Sequence, residues 1–66
     1  MEEAKNRLRA LREASGMTQK QLADAVGVKQ QALSKYERGE NAVGNMTITL
    51  ALKIAERLGV RIEDLI

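Results

Sequence analysis

Five glycines, at positions 16, 27, 39, 44 and 59, cut this chain of 66 residues into helix-length pieces. There is no proline, so glycine alone supplies the punctuation. Between the glycines, apolar residues recur at spacings of three and four. Sustained period-two alternation is absent; residues 46–50 alternate briefly and then run into a helical pattern. The chain is therefore predicted to be all-α, one domain over residues 1–66, with five short helices and short connections.

The first helix is predicted over residues 2–14, with Ala4, Leu8 and Leu11 on one apolar face and Gly16 as its stop. In the second piece Thr18 stands three residues before Gln21, the spacing of a capping box. Leu22, Ala23 and Val26 form its buried stripe, and Gly27 ends it after about two turns. The third helix is predicted over residues 29–38. At 100° per residue, Ala32, Leu33 and Tyr36 fall on one arc, and Gln30, Gln31, Ser34, Lys35 and Arg38 on the other. Thr47 is a candidate N-cap for a fourth helix ending before Gly59. That helix is apolar nearly all round, which places it at the centre of the fold, at a subunit interface, or both. Val60 and Ile62 lead into a final short helix over residues 63–66.

Composition excludes most chemistry. The chain has no Cys and no His, which rules out disulfides, the usual zinc sites and nucleophilic triads with an imidazole base. Glu2, Glu3, Glu63 and Asp64 form no loop of calcium-binding spacing. No catalytic, metal, cofactor or small-molecule site is predicted. No apolar run reaches the roughly 18 residues of a membrane span and no leader is visible, so the expected location is the cytoplasm. The balance of 11 Lys and Arg against 9 Asp and Glu gives a net charge of only +2, so a polyanion partner has to be recognised by how charge is placed. Tyr36 is the single aromatic, so the core must be aliphatic. Tyr36 itself is assigned to that core, and the methionines are assigned as gap fillers and the initiator. Arg7, Arg9, Arg12 and Glu13 read as a solvated face of the first helix.

The informative constellation is Gln19, Ala23, Gly27 and Leu33. Ala23 has to be small where the following helix crosses. Gly27 admits a turn with positive φ, and Leu33 anchors the third helix. Together they hold that helix across its predecessor with its outer arc free, which is a helix-turn-helix over about residues 18–38.

The run MTQKQLADAVGVKQQALSKYERG at residues 17–39 resembles the Cro/CI, or XRE, family of helix-turn-helix regulators. LRALREASG at 8–16 looks like that family's first helix, and LKIAERLGV at 52–60 like its fourth. The resemblance implies a five-helix, lambda-repressor-like DNA-binding domain whose third helix enters the major groove. Lys29, Gln30, Gln31, Ser34 and Lys35 would then face the bases, with Arg38 on the same arc. A glutamine amide offers donor and acceptor together, matching adenine N6 and N7. The adjacent glutamines are similar to those that open the recognition helix in lambdoid phage repressors. Gln19 looks like the family's phosphate-binding position, where a helix N-terminus favours an anion. The segment Gly39-Glu-Asn-Ala-Val43 resembles the loop after that helix, which implies that Asn41 touches DNA. Amides near Asn45 and Thr47 would grip a second phosphate. Two departures are visible: Lys29 stands where many members have a capping Ser or Thr, and the loop over residues 41–46 looks about three residues longer than the common form.

The reading is thus sequence-specific binding of double-stranded DNA, with repression by occupancy of a palindromic operator. The surplus of apolar residues on the fourth helix and at Ile62, Leu65 and Ile66 predicts a homodimer. The competing reading is an antitoxin-like or adaptor module that docks on protein. Such a surface needs apolar anchors, and the outer arc of the third helix offers Gln, Gln, Ser, Lys and Arg.

Overall fold

The computed structural model describes residues 6–42 and 46–65. They form four α-helices, α1 (Arg7–Ala14), α2 (Gln19–Val26), α3 (Gln30–Glu37) and α4 (Ile48–Leu58), followed by a single 3-10 turn at Ile62–Asp64. No strand occurs among the described residues, and no helix there is long and apolar enough to cross a membrane.

The predicted count of five helices is corrected to four. After Gly59 the backbone of Arg61 is extended, and the Asp64 carboxylate accepts the Arg61 N–H at 3.1 Å. One closed turn is enough to return Leu65, 2% exposed, to the core. Ile66, at the end of the predicted fifth helix, lies outside the described residues. The start of the first helix is also corrected. Asn6 is extended (φ −78°, ψ 171°) and its side-chain oxygen accepts the Arg9 N–H at 2.9 Å. It is an N-cap, so a helix continuous from residue 2 is interrupted there; residues 1–5 lie outside the described part. The Asn6 amide also donates to the Tyr36 carbonyl at 2.6 Å, tying the start of α1 to the end of α3.

Each α-helix sends one aliphatic side chain to a common centre. Leu8, Leu22, Leu33 and Ile54 are fully buried, one from each helix in order. Ala23, Val26, Met46, Ala51, Ala55 and Leu65 complete the core around them. Burying a Leu or Ile side chain contributes about 1.5–3 kcal/mol, so these four carry much of a small domain's stability. Tyr36 packs against the core and Met46 fills it, both as predicted.

Arg12 overturns a prediction. It is not on a solvated face: it is buried, and so is Glu37 of α3. Arg12 Nε donates to Glu37 Oε2 at 2.7 Å and its Nη2 to Glu37 Oε1 at 3.0 Å. Its Nη1 donates to the Met17 carbonyl at 2.7 Å. Arg12 lies one turn beyond Leu8, on the stripe that faces inward. The hydrogen bond to Glu37 raises the arginine's pKa above its ordinary value, against the opposing pull of burial. A raised pKa contributes stability at every pH below the ordinary one and loses it only as pH climbs through the folded value, so this contribution is intact across the working range of any protein.

Removing one member of such a pair strands the other charge. Arg12→Ala is expected to cost about 3–5 kcal/mol in urea unfolding, whereas Arg12→Met with Glu37→Leu leaves stability within about 1 kcal/mol or raises it. At the α2 end, Gly27 sits at φ 78° with open space where a Cβ would go. Gly27→Ala therefore pays only for the left-handed backbone, about 1–2 kcal/mol by the same measurement.

Candidate nucleic-acid interface

The interface is built from the start of α2, the turn after it and the outer side of α3. Thr18 Oγ1 accepts the Gln21 N–H at 3.1 Å, and the Gln21 side chain accepts the Thr18 N–H at 2.9 Å. This capping box fixes the first turn of α2. The remaining amides of that turn have no carbonyl partner within the helix and point along its axis. Gln19 is the first residue of α2, so its half-buried side chain leaves from the same end.

At the other end Gly27 is left-handed (φ 78°, ψ 30°). The Val28 N–H then reaches the Ala23 carbonyl at 3.0 Å, and Val28 packs on the core. This is a Schellman closure with its apolar contact. Ala23 is 1% exposed on α2, the helix that packs on both α3 and α4. Three connecting residues, 27–29, separate Val26 from the start of α3 at Gln30. Lys29 occupies the N-cap without a side-chain cap bond, as its chemistry predicts.

On α3, Leu33 is buried and Ala32 and Tyr36 half-buried, which fixes the helix by its inner side. Gln30, Gln31 and Lys35 are exposed, as are Lys29 before the helix and Arg38 and Asn41 after it; Ser34 is half-buried. The glutamine pair thus faces away from the core. Arg38 Nε lies 2.9 Å from Glu40 Oε2 in an exposed pair, a contact of small strength that a phosphate can displace. Of the residues named for a second phosphate, Asn45 lies outside the described residues. The Thr47 hydroxyl accepts the Leu50 N–H at 3.2 Å and caps α4.

A hydrogen-bonded chain connects the buried ion pair to this surface. Glu37 Oε1 accepts from Gln19 Nε2 at 3.1 Å. Gln19 Oε1 in turn accepts from Gln30 Nε2 at 3.5 Å, a long bond. Sequence reasoning found Gln19 and Gln30 but missed Arg12 and Glu37. The available signal was their spacing: each lies four residues after a fully buried leucine, Leu8 and Leu33 respectively, so the two opposite charges extend apolar stripes. Electrostatically, the bidentate guanidinium neutralises a carboxylate that would otherwise stand close beneath the candidate interface. Among the described residues, Lys20, Lys29, Lys35 and Arg38 are the exposed cations of that surface.

A helix-turn-helix family model matches residues 8–65. An HTH-type transcriptional regulator of Archaeoglobus fulgidus is 41% identical over 61 residues, covering 92% of this chain and 83% of the relative. The CTXphi phage transcriptional repressor RstR of Vibrio cholerae is 39% identical over 61 residues; the match takes in 92% of this chain and 52% of the repressor. Among solved structures, the restriction-modification controller protein C.AhdI of Aeromonas hydrophila superposes with a TM-score of 0.78 at 33% identity, over 91% of this chain and 86% of its own. The chain belongs to the Cro/CI (XRE) family of helix-turn-helix transcriptional regulators.

Proposed function

We propose that this protein is a sequence-specific DNA-binding regulator that represses by occupying an operator in the cytoplasm, with α3 lying in the major groove. One observation carries the residue assignment: the side of α3 turned away from the core is polar, and Gln30 and Gln31 stand on it at the end nearest the turn. In this geometry the first residues of the recognition helix reach base edges. Gln30 pairs with adenine through its amide, and Gln31 and Ser34 read neighbouring positions. Lys29, Lys35 and Arg38 take phosphates or guanine. Gln19 and the free amides at the start of α2 hold a phosphate, and Asn41 touches the backbone beyond the helix. A protein-docking role is disfavoured because this side holds no exposed apolar anchor.

The functional unit is a homodimer on a palindromic site. Ile48 and Leu52 are 68% and 52% exposed and lie one turn apart on α4. Covering them with a second copy about a two-fold axis puts two recognition helices about 34 Å apart, one turn of DNA. Repression is the sense of regulation named for the phage relative.

Selection of sites from random duplexes at two salt concentrations tests the function directly: enrichment of a palindrome supports it, and no enrichment refutes it. On the selected site, Gln30→Ala is expected to cost about 1–3 kcal/mol and to relax preference at one base pair per half-site. Unchanged affinity and selectivity would remove Gln30 from the reading surface. Leu52→Glu is expected to leave the circular dichroism spectrum intact while sedimentation shifts to a monomer and operator binding weakens. A wild-type protein that sediments as a monomer both free and on DNA rules out the dimer.

A further inference from the structure

We propose that Glu40 is an internal competitor for DNA phosphate. It holds Arg38 in the free protein and has to surrender it on binding, so it lowers affinity and flattens the salt dependence for every sequence alike. The proposal rests on the reading of α3 as the element that enters the groove.

The end of α3 is closed by two backbone hydrogen bonds. The Gly39 N–H donates to the Tyr36 carbonyl at 3.2 Å, and the Glu40 N–H to the Lys35 carbonyl at 3.0 Å. Gly39 is left-handed (φ 79°), which completes a Schellman closure. The Asn41 N–H shares the Lys35 carbonyl at 3.3 Å. Glu40 is therefore held by its backbone just beyond the helix, and its Oε2 lies 2.9 Å from Arg38 Nε. The two side chains are 51% and 54% exposed, so the core does not depend on either of them.

Arg38 directly follows the last residue of α3, at the end opposite the turn. The first residues of a recognition helix reach base edges, so the far end lies beside the strand backbone and Arg38 meets a phosphate there. A carboxylate and a phosphate make the same demand on a guanidinium, since both are anions whose oxygens accept its N–H groups. Moving Arg38 to phosphate leaves Glu40 facing the polyanion with its charge uncompensated. The gain on binding is then the difference between two ion pairs. The exchange also releases fewer counterions than a free arginine would, because the carboxylate left behind attracts cations. Neither effect depends on the bases in the groove, because phosphate contacts carry no sequence information directly. With Lys20, Lys29, Lys35 and Arg38 as the exposed cations of the candidate interface among the described residues, withholding one removes a large share of its attraction for a duplex.

The test is a titration of wild type, Glu40→Gln, Arg38→Gln and the double variant. Each is measured with the duplex obtained by selection and with an unrelated duplex of equal length, between about 50 and 200 mM salt. Both positions are exposed, so all variants are expected to keep the wild-type circular dichroism spectrum. Glu40→Gln is expected to tighten binding to both duplexes by the same factor, about two- to fivefold at the lower salt. It is also expected to steepen the slope of log K against log salt by up to about 0.9, the share of one phosphate contact. Arg38→Gln is expected to weaken both complexes and flatten that slope, and in its presence Glu40→Gln is expected to lose most of its effect. A Glu40→Gln variant that binds no more tightly than wild type overturns the proposal. So does a gain as large with Arg38→Gln as without it, which plain repulsion of DNA by the carboxylate would produce. A gain confined to one duplex overturns it too, since that marks base reading by Arg38. These three outcomes leave the reading of α3 standing. An Arg38→Gln variant that binds both duplexes as wild type does takes Arg38 off the interface, and the proposal falls with it. A wild-type protein that binds neither duplex defeats the reading of α3 and the proposal together.

Discussion

A carboxylate that is 4% exposed in a chain of 66 residues has to be paired, because an unpartnered buried charge costs several kcal/mol, comparable with the whole stability of so small a domain. Glu37 satisfies this through two bonds from the Arg12 guanidinium and one from the Gln19 amide. Those bonds come from two helices, α1 and α2, and join both to α3. α1 and α3 are held at the distance one bidentate contact permits, and the start of α2 is held to both through Gln19 and the Met17 carbonyl. A hydrophobic replacement could match the stability, but it tolerates sliding that a bidentate pair does not. The pair therefore fixes geometry more than it adds energy, and the geometry it fixes is that of the candidate DNA-binding surface.

The rest of that surface is held by backbone chemistry. The box at Thr18 and Gln21 sets where α2 begins, and the left-handed Gly27 sets where it ends. With Val28 seated on the core, the direction of α3 is settled before any of its own side chains packs. Leu33 then locks its rotation, which decides that Gln30 and Gln31 face outward. Few of these devices involve large buried area. This suits a domain whose central core is four aliphatic side chains and whose only aromatic is half-buried.

Much of this was legible in the sequence because it is local. Capping spacing, the glycine corner and the polar arc of α3 are all set by residues within a few positions of one another. The helical class, the turn, the core roles of Leu22, Leu33 and Tyr36, and the exposed apolar side of α4 follow from such patterns. What was not legible depends on partners distant in sequence. Arg12 and Glu37 each look like an ordinary surface charge until the other is placed beside it, 25 residues away. Asn6 looked like a helix interior residue because the charged stretch before it has no apolar pattern to contradict a longer helix. The expected fifth helix is replaced by a single 3-10 turn, which already returns Leu65 to the core.

The small net charge of +2 gives the polar arc its importance. A strongly basic domain gains affinity for any duplex by releasing counterions, and that gain carries no sequence information. Among the described residues, Lys20, Lys29, Lys35 and Arg38 stand exposed on the candidate surface as cations, and Arg38 is shared with Glu40. The non-specific term expected from such a charge is correspondingly small, and under the proposed function discrimination would fall to neutral groups that choose between bases by the order of donor and acceptor. An amide is suited to this only if its orientation is fixed, since a freely turning one serves adenine and guanine alike. A weakly charged reader thus has more need than a basic one for rigid support behind its glutamines. From Gln30 a hydrogen-bonded path runs through Gln19 to the buried carboxylate of Glu37.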